Sequence, residues 1–178
     1  MKKLLVVVDM QNDFITGALE NKEGQMIVDK LADYIRDFDG DIIATRDTHT
    51  EEYMATQEGK KLPVPHCIRG TEGWNIVPAV QAALDKKAET ASVRYIDKPT
   101  FGSCKLGETV AAEAYTDVEL CGVCTDICVI SNALLIKAYA VETKVSVLKQ
   151  LCAGVTPESH NNALNAMAAC QVDIVPAE

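Results

Sequence analysis

Five apolar runs of strand length punctuate the chain, at residues 4–8, 41–45, 91–96, 118–122 and 144–148, with a shorter one at 172–175. They are continuous rather than alternating, as in strands covered on both faces. Between them, apolar residues recur at helical spacing over 26–38, 76–84, 106–114, 127–139 and 157–169. This alternation predicts an α/β fold: a three-layer α/β/α sandwich, Rossmann-like, around a mostly parallel sheet of six strands. Residues 48–74 escape the pattern and carry Pro63 and Pro65. Irregular stretches of that length are usually functional.

Length and charge narrow the reading. A chain of 178 residues matches one ordinary domain with a core large enough to fold without staples. The formal net charge is −9, and no cluster of Lys and Arg is dense enough to hold a phosphate backbone against it, so nucleic acid is excluded as a partner. Asp9 interrupts the first apolar run well short of a signal peptide or membrane span. A soluble, cytoplasmic protein without a membrane partner is expected. The seven cysteines, an odd set, are expected as reduced thiols.

In open parallel sheets, ligands bind beyond the carboxyl ends of the strands. Asp9 follows the first strand, Asp47 and His49 the second, Lys98 the third, and Cys124 and Cys128 the fourth. Cys128 falls in the first turn of the helix after Gly122, with Thr125 or Asp126 as N-cap. Unpaired N–H groups and the helix dipole there favour a thiolate of lowered pKa, and suit the oxyanion of a tetrahedral intermediate. Lys98 is the candidate counter-charge for that thiolate and for Asp9, whose pKa rises on leaving water unless a cation compensates.

Each residue also has a plainer reading. Asp9 can fix a turn, Lys98 can be a solvated charge, and Cys128 can be a buried filler, as is expected of Cys152 and Cys170. Cys121, Cys124 and Cys128 together could serve a metal or redox role, although a structural zinc site needs a fourth ligand.

A second constellation lies in the irregular stretch. Asp47 and His49, two apart in an extended segment, point the same way. His66, between Pro65 and Cys67, offers a second imidazole, and Glu58 a further carboxylate. Such donors suit a divalent transition metal, zinc first and iron or manganese as alternatives, rather than calcium.

Five ordered blocks give these residues a family likeness: Val7-Val8-Asp9-Met10-Gln11-Asn12-Asp13-Phe14, Thr45-Arg46-Asp47-Thr48-His49, Pro65-His66-Cys67-Ile68-Arg69-Gly70-Thr71, Lys98-Pro99-Thr100-Phe101-Gly102-Ser103 and Gly122-Val123-Cys124-Thr125-Asp126-Ile127-Cys128-Val129. Across its length the chain resembles the isochorismatase-like cysteine hydrolases, and more narrowly their nicotinamidase branch. The resemblance implies a triad of Asp9, Lys98 and Cys128, with Cys128 as nucleophile. It also implies a cis peptide at Val123–Cys124 that aims the Cys124 and Cys128 N–H groups at an oxyanion. It implies an ion on Asp47, His49, His66 and Glu58, a small-molecule amide substrate, and a homo-oligomer. Thr48 and the Pro63–Pro65 segment stand where many nicotinamidases have aromatic residues. Phe14 and Phe101 are left as the substrate-flanking rings, with Tyr53 and Trp74 as further candidates. Family members that hydrolyse carbamoyl or vinyl-ether substrates would keep the triad and need no ion.

Overall fold

The apolar run that opens the chain forms the middle of a sheet. In the computed structural model, which describes residues 2–176, β1 (Lys3–Val8) buries five consecutive residues between two parallel neighbours. The other strands are β2 (Asp41–Asp47), β3 (Val93–Lys98), β4 (Asp117–Val123), β5 (Lys144–Ala153) and β6 (Asp173–Val175). Their order is β3-β2-β1-β4-β5-β6, and every pairing is parallel. Six parallel strands are what the continuous apolar runs predict.

Among the described residues, seven α-helices complete the layers: α1 (Asn12–Ile15), α2 (Lys22–Asp37), α3 (Gln57–Lys61), α4 (Pro78–Lys87), α5 (Cys104–Ala112), α6 (Ile130–Tyr139) and α7 (Pro157–Ala169). The chain steps outward from β1 to β2 to β3, then returns to β4 on the far side of β1. Right-handed crossovers therefore put α2 and α4 on one face and α5, α6 and α7 on the other. The contacts agree, since α2 packs on α4 and α6 touches both α5 and α7. The reversal opens a crevice between the carboxyl ends of β1 and β4, where ligands are expected.

Several boundaries differ from expectation for local reasons. Helix α2 begins a turn early because the Asn21 side chain accepts a hydrogen bond from the Gly24 N–H. The third strand slips by two residues, so Lys98 ends β3 instead of following it. The irregular stretch contains a 3-10 turn (Tyr53–Ala55) and α3. The predicted helix over 127–139 divides into a π turn (Thr125–Val129) and α6. Its N-cap is Cys124, neither Thr125 nor Asp126, and no side chain caps it. Cys152 is the buried filler expected, but Cys170 is exposed; all seven cysteines are unpaired. Among the described residues, no helix is long and apolar enough to cross a membrane.

Candidate active site

The crevice at the chain reversal requires a close approach of two backbones. Gly122 sits in the left-handed region at φ 113°, and a Cβ there would overlap the Val8 carbonyl. Just beyond it the Val123–Cys124 peptide is cis, and the π turn carries Cys128. Asp9, immediately after β1, also adopts positive φ, which aspartate tolerates better than most residues.

Asp9, Lys98 and Cys128 meet here, only 0%, 1% and 5% exposed. Lys98 Nζ lies 2.6 Å from Asp9 Oδ2, donates to Cys128 Sγ at 3.5 Å, and donates to the Thr100 carbonyl at 3.1 Å. The Thr45 hydroxyl donates to Asp9 Oδ1 at 2.7 Å. Burial raises the Asp9 carboxyl above its ordinary value, against the pull of Lys98. Burial alone would lower Lys98, but Asp9, Cys128 and Asp47 outweigh it and hold the ammonium charged. The Cys128 thiol is raised, not lowered: burial comes first and Asp9 adds to it, outweighing Lys98. Burial thus favours the protonated thiol, with the Asp9 carboxyl beside it.

The second cluster adjoins the first through Asp47. Its carboxylate lies 3.5 Å from Lys98 Nζ through Oδ1, while Oδ2 lies 2.9 Å from His49 Nε2 and 3.5 Å from His66 Nε2. Glu58 Oε1 is 3.8 Å from both imidazole nitrogens. One donor atom from each of the four lies within 4.8 Å of the others. The His66 Nδ1–H donates to the Val64 carbonyl at 2.8 Å, which turns the Nε2 lone pair to the cluster, as in metal sites. Two imidazoles and two carboxylates fit a divalent transition metal. Cys121, Cys124 and Cys128 form no such group among the described residues, and the Cys121 thiol points at the Val6 carbonyl.

Both clusters open on one cavity of about 470 Å³, into which Asp47, Glu58, His66 and Cys128 project. Phe14 and Phe101 line it, with Leu62, Ile127 and Val155 among the apolar walls. Phe101 stands at its mouth, 43% exposed. Tyr53 and Trp74 do not line it. Tyr53 packs edge-on against both imidazoles from behind, and Trp74 lies beneath Arg46 and Arg69.

Three buried polar residues of the site have roles that the sequence reading did not assign. Gln11 accepts the Asp47 N–H at 2.7 Å and donates to the Asp47 and Trp74 carbonyls, fixing the backbone under the donor group. Thr45 orients Asp9. Asn132 accepts the Ser103 N–H and donates to the Phe101 and Cys128 carbonyls, joining the loop after Lys98 to the turn bearing Cys128. The spacing of Asn132, four residues past Cys128 on one helical face, was the available signal.

Comparison with known proteins agrees with this fold. The isochorismatase domain family matches residues 3–178. The chain is 32% identical over 177 residues to the uncharacterized isochorismatase family protein PncA of Bacillus subtilis, covering 94% of this chain and 95% of that one. Among solved structures, the pyrazinamidase/nicotinamidase of Streptococcus mutans superposes with a TM-score of 0.85 at 28% identity, over 98% of this chain and 100% of the other. The pyrazinamidase of Pyrococcus horikoshii, solved in complex with zinc, gives 0.78 at 30% identity, over 99% and 100%.

Proposed function

This chain belongs to the isochorismatase domain family, and on that premise we propose that it is a cysteine amidohydrolase converting nicotinamide to nicotinate and ammonia through a thioester on Cys128. The observation that carries this reading is the pair of adjoining clusters: Asp9, Lys98 and Cys128 pack together, and Asp47 links them to three further metal-type donors. The S. mutans and P. horikoshii relatives, a pyrazinamidase/nicotinamidase and a pyrazinamidase, support an aromatic carboxamide as substrate.

In this scheme Asp9 takes the proton from Cys128 as the sulfur bonds to the amide carbon. The N–H groups of Cys124 and Cys128, at the head of the π turn, hold the oxyanion; the first N–H groups of a helical segment lack partners within it. Lys98 stays protonated and keeps the adjacent anions stable throughout. When the tetrahedral species collapses, the C–N bond breaks and the leaving nitrogen takes the proton from Asp9 to depart as ammonia. Asp9 then deprotonates a water that attacks the thioester, releasing nicotinate and restoring the thiol. Phe14 and Phe101 flank the ring. Asp47, His49, Glu58 and His66 are the residues that would hold a divalent ion, zinc first among the candidates, which supplies a Lewis-acid position for the ring nitrogen. The reading includes a cytoplasmic location, in keeping with unpaired thiols, and a homo-oligomer.

The test is ammonia release from nicotinamide, pyrazinamide and carbamoyl compounds, with and without a chelator. Turnover of both ring amides, reduced by chelation, is expected, and Cys128→Ala should fall by at least about 10⁴-fold. A Cys128→Ala protein releasing ammonia at the original rate would falsify the scheme, and turnover of carbamoyl compounds alone, unaffected by chelation, would reassign the substrate.

A further inference from the structure

The π turn carrying Cys124 and Cys128 has no cap of its own, yet the proposed chemistry needs its N–H groups held in place. What holds it comes from elsewhere in the chain. Behind the turn runs the segment that leaves β5 and enters α7; two hydrogen bonds tie the two together directly, and Asn21 bridges them. Val155 N–H donates to Asp126 Oδ1 at 3.0 Å. The Asn21 side chain donates to the Gly154 carbonyl at 2.8 Å and lies 3.9 Å from Cys124 Sγ. His160, in the first turns of α7, places Nδ1 2.8 Å from the Thr125 hydroxyl. Helix α7 packs directly on the π turn, and a Cβ at Gly154 would come within 2.9 Å of the His160 backbone and Cβ, so the connection approaches His160 too closely for any side chain there.

The direction of the Thr125–His160 bond follows from burial. Thr125 is fully buried, and among the described residues its hydroxyl has one hydrogen-bond partner, His160 Nδ1. A buried O–H left without an acceptor is costly, so the hydroxyl donates and Nδ1 accepts, which puts the imidazole proton on Nε2. Thr125 lies between the two residues whose N–H groups are assigned to the oxyanion. A side chain that locks Thr125 therefore sets the aim of both.

We propose that His160 is a positioning residue for the oxyanion-binding turn: by accepting the Thr125 hydroxyl proton at Nδ1, it fixes the backbone of Cys124–Cys128 against α7. This rests on the cysteine-hydrolase reading above. It adds a residue that touches neither substrate nor nucleophile and reaches the turn from the far side of the β5–α7 connection.

The experiment compares wild type with His160→Ala, His160→Asn, His160→Gln and Thr125→Val. The asparagine of His160→Asn would set its Oδ1 where Nδ1 stands, whereas the longer glutamine places its carbonyl elsewhere. For His160→Ala, kcat for the best ring amide falls about ten- to a hundredfold with KM within about twofold, because a misaimed oxyanion site costs the transition state rather than the ground state. His160→Asn restores most of kcat and His160→Gln does not. Thr125→Val reproduces the loss, and its combination with His160→Ala adds nothing further. Alkylation of Cys128 by iodoacetamide, followed by mass, forms no oxyanion and proceeds at the wild-type rate in every folded variant. His160→Ala with unchanged kcat, or His160→Asn no better than His160→Gln, overturns the proposal. If Thr125→Val fails to fold, the three His160 variants decide. Failure of the parent reading has a different signature, a Cys128→Ala protein that still releases ammonia.

Discussion

The Asp9–Lys98–Cys128 cluster is carried by the ends of β1 and β3 and the turn leaving β4, whereas the metal-type group draws His49, Glu58 and His66 from the segment that follows β2. In the first, every charge is sealed and each strand end is fixed by ladder bonds to a neighbour. In the second, Glu58 sits on the five-residue α3 with its side chain 20% exposed, and the imidazoles are held by Tyr53 and the Val64 carbonyl. The strand-borne cluster can hold a reactive proton at a fixed distance. The loop-borne one, with Glu58 part-exposed, has room to adjust around whatever its donors hold. Asp47, at the end of β2, belongs to both and is itself pinned by Gln11.

Breaking the strand-borne cluster is expected to cost the most. Lys98→Met keeps the length of the side chain but removes the cation, leaving Asp9 and Asp47 as buried anions close to one another. Removing one partner of a buried pair destabilises a protein by about 3–5 kcal/mol. Urea unfolding of the metal-free protein should show a loss of that order at an unchanged m-value. A loss under about 1 kcal/mol would mean that Asp9 simply takes up a proton, and that the cluster is less rigidly charged than the geometry indicates.

The loop-borne group should respond in affinity more than in stability. His66→Ala leaves Asp47 paired with His49 and Lys98, so the fold keeps its balance of charge. Loss of one imidazole is expected to weaken zinc binding by at least about 100-fold, read by competition with a chromogenic chelator. Ammonia release should fall with it, while alkylation of Cys128 stays near wild type. Zinc affinity within a few-fold of wild type would remove His66 from the donor set.

How far the sequence foretold these regions follows the same division. Strand ends were legible because a polar residue after a buried apolar run marks the rim of the sheet, which located Asp9, Asp47 and Cys128. The boundaries slipped by two residues at the ends of β2 and β3, so Asp47 and Lys98, both placed after their strands, are the last residues of them; β3 is an edge strand whose Arg94, Asp97 and Lys98 interrupt the apolar run. The nucleophile's turn was found but its cap was misassigned. Thr125 and Asp126 have the chemistry of N-caps, but tertiary partners claim both side chains, His160 for one and the Val155 N–H for the other. The expected fall in the thiol pKa was likewise reversed, because burial outweighs what a helix terminus provides. Gln11 was invisible for a related reason: its role is a pair of hydrogen bonds across 36 residues of chain, which no local pattern encodes, whereas Asn132 offered its four-residue spacing from Cys128 but not its bonds to the Phe101–Ser103 loop.

The smallest expected effect separates the two regions most finely. Glu58 is the donor farthest from its neighbours, 3.8 Å from each imidazole, and its carboxyl is raised by partial burial and by repulsion from Asp47. Glu58→Gln keeps the shape and removes that charge. If Glu58 is a ligand, the substitution weakens zinc by about tenfold, since a neutral amide is a poorer donor than a carboxylate. In the metal-free protein it relieves the repulsion, so the melting temperature should rise slightly rather than fall. In the strand-borne cluster, by contrast, Asp9 and Lys98 form a fully buried pair, and removing one of them leaves the other uncompensated. A Glu58→Gln protein with unchanged zinc affinity would reduce the group to three donors and leave the fourth position to solvent or substrate.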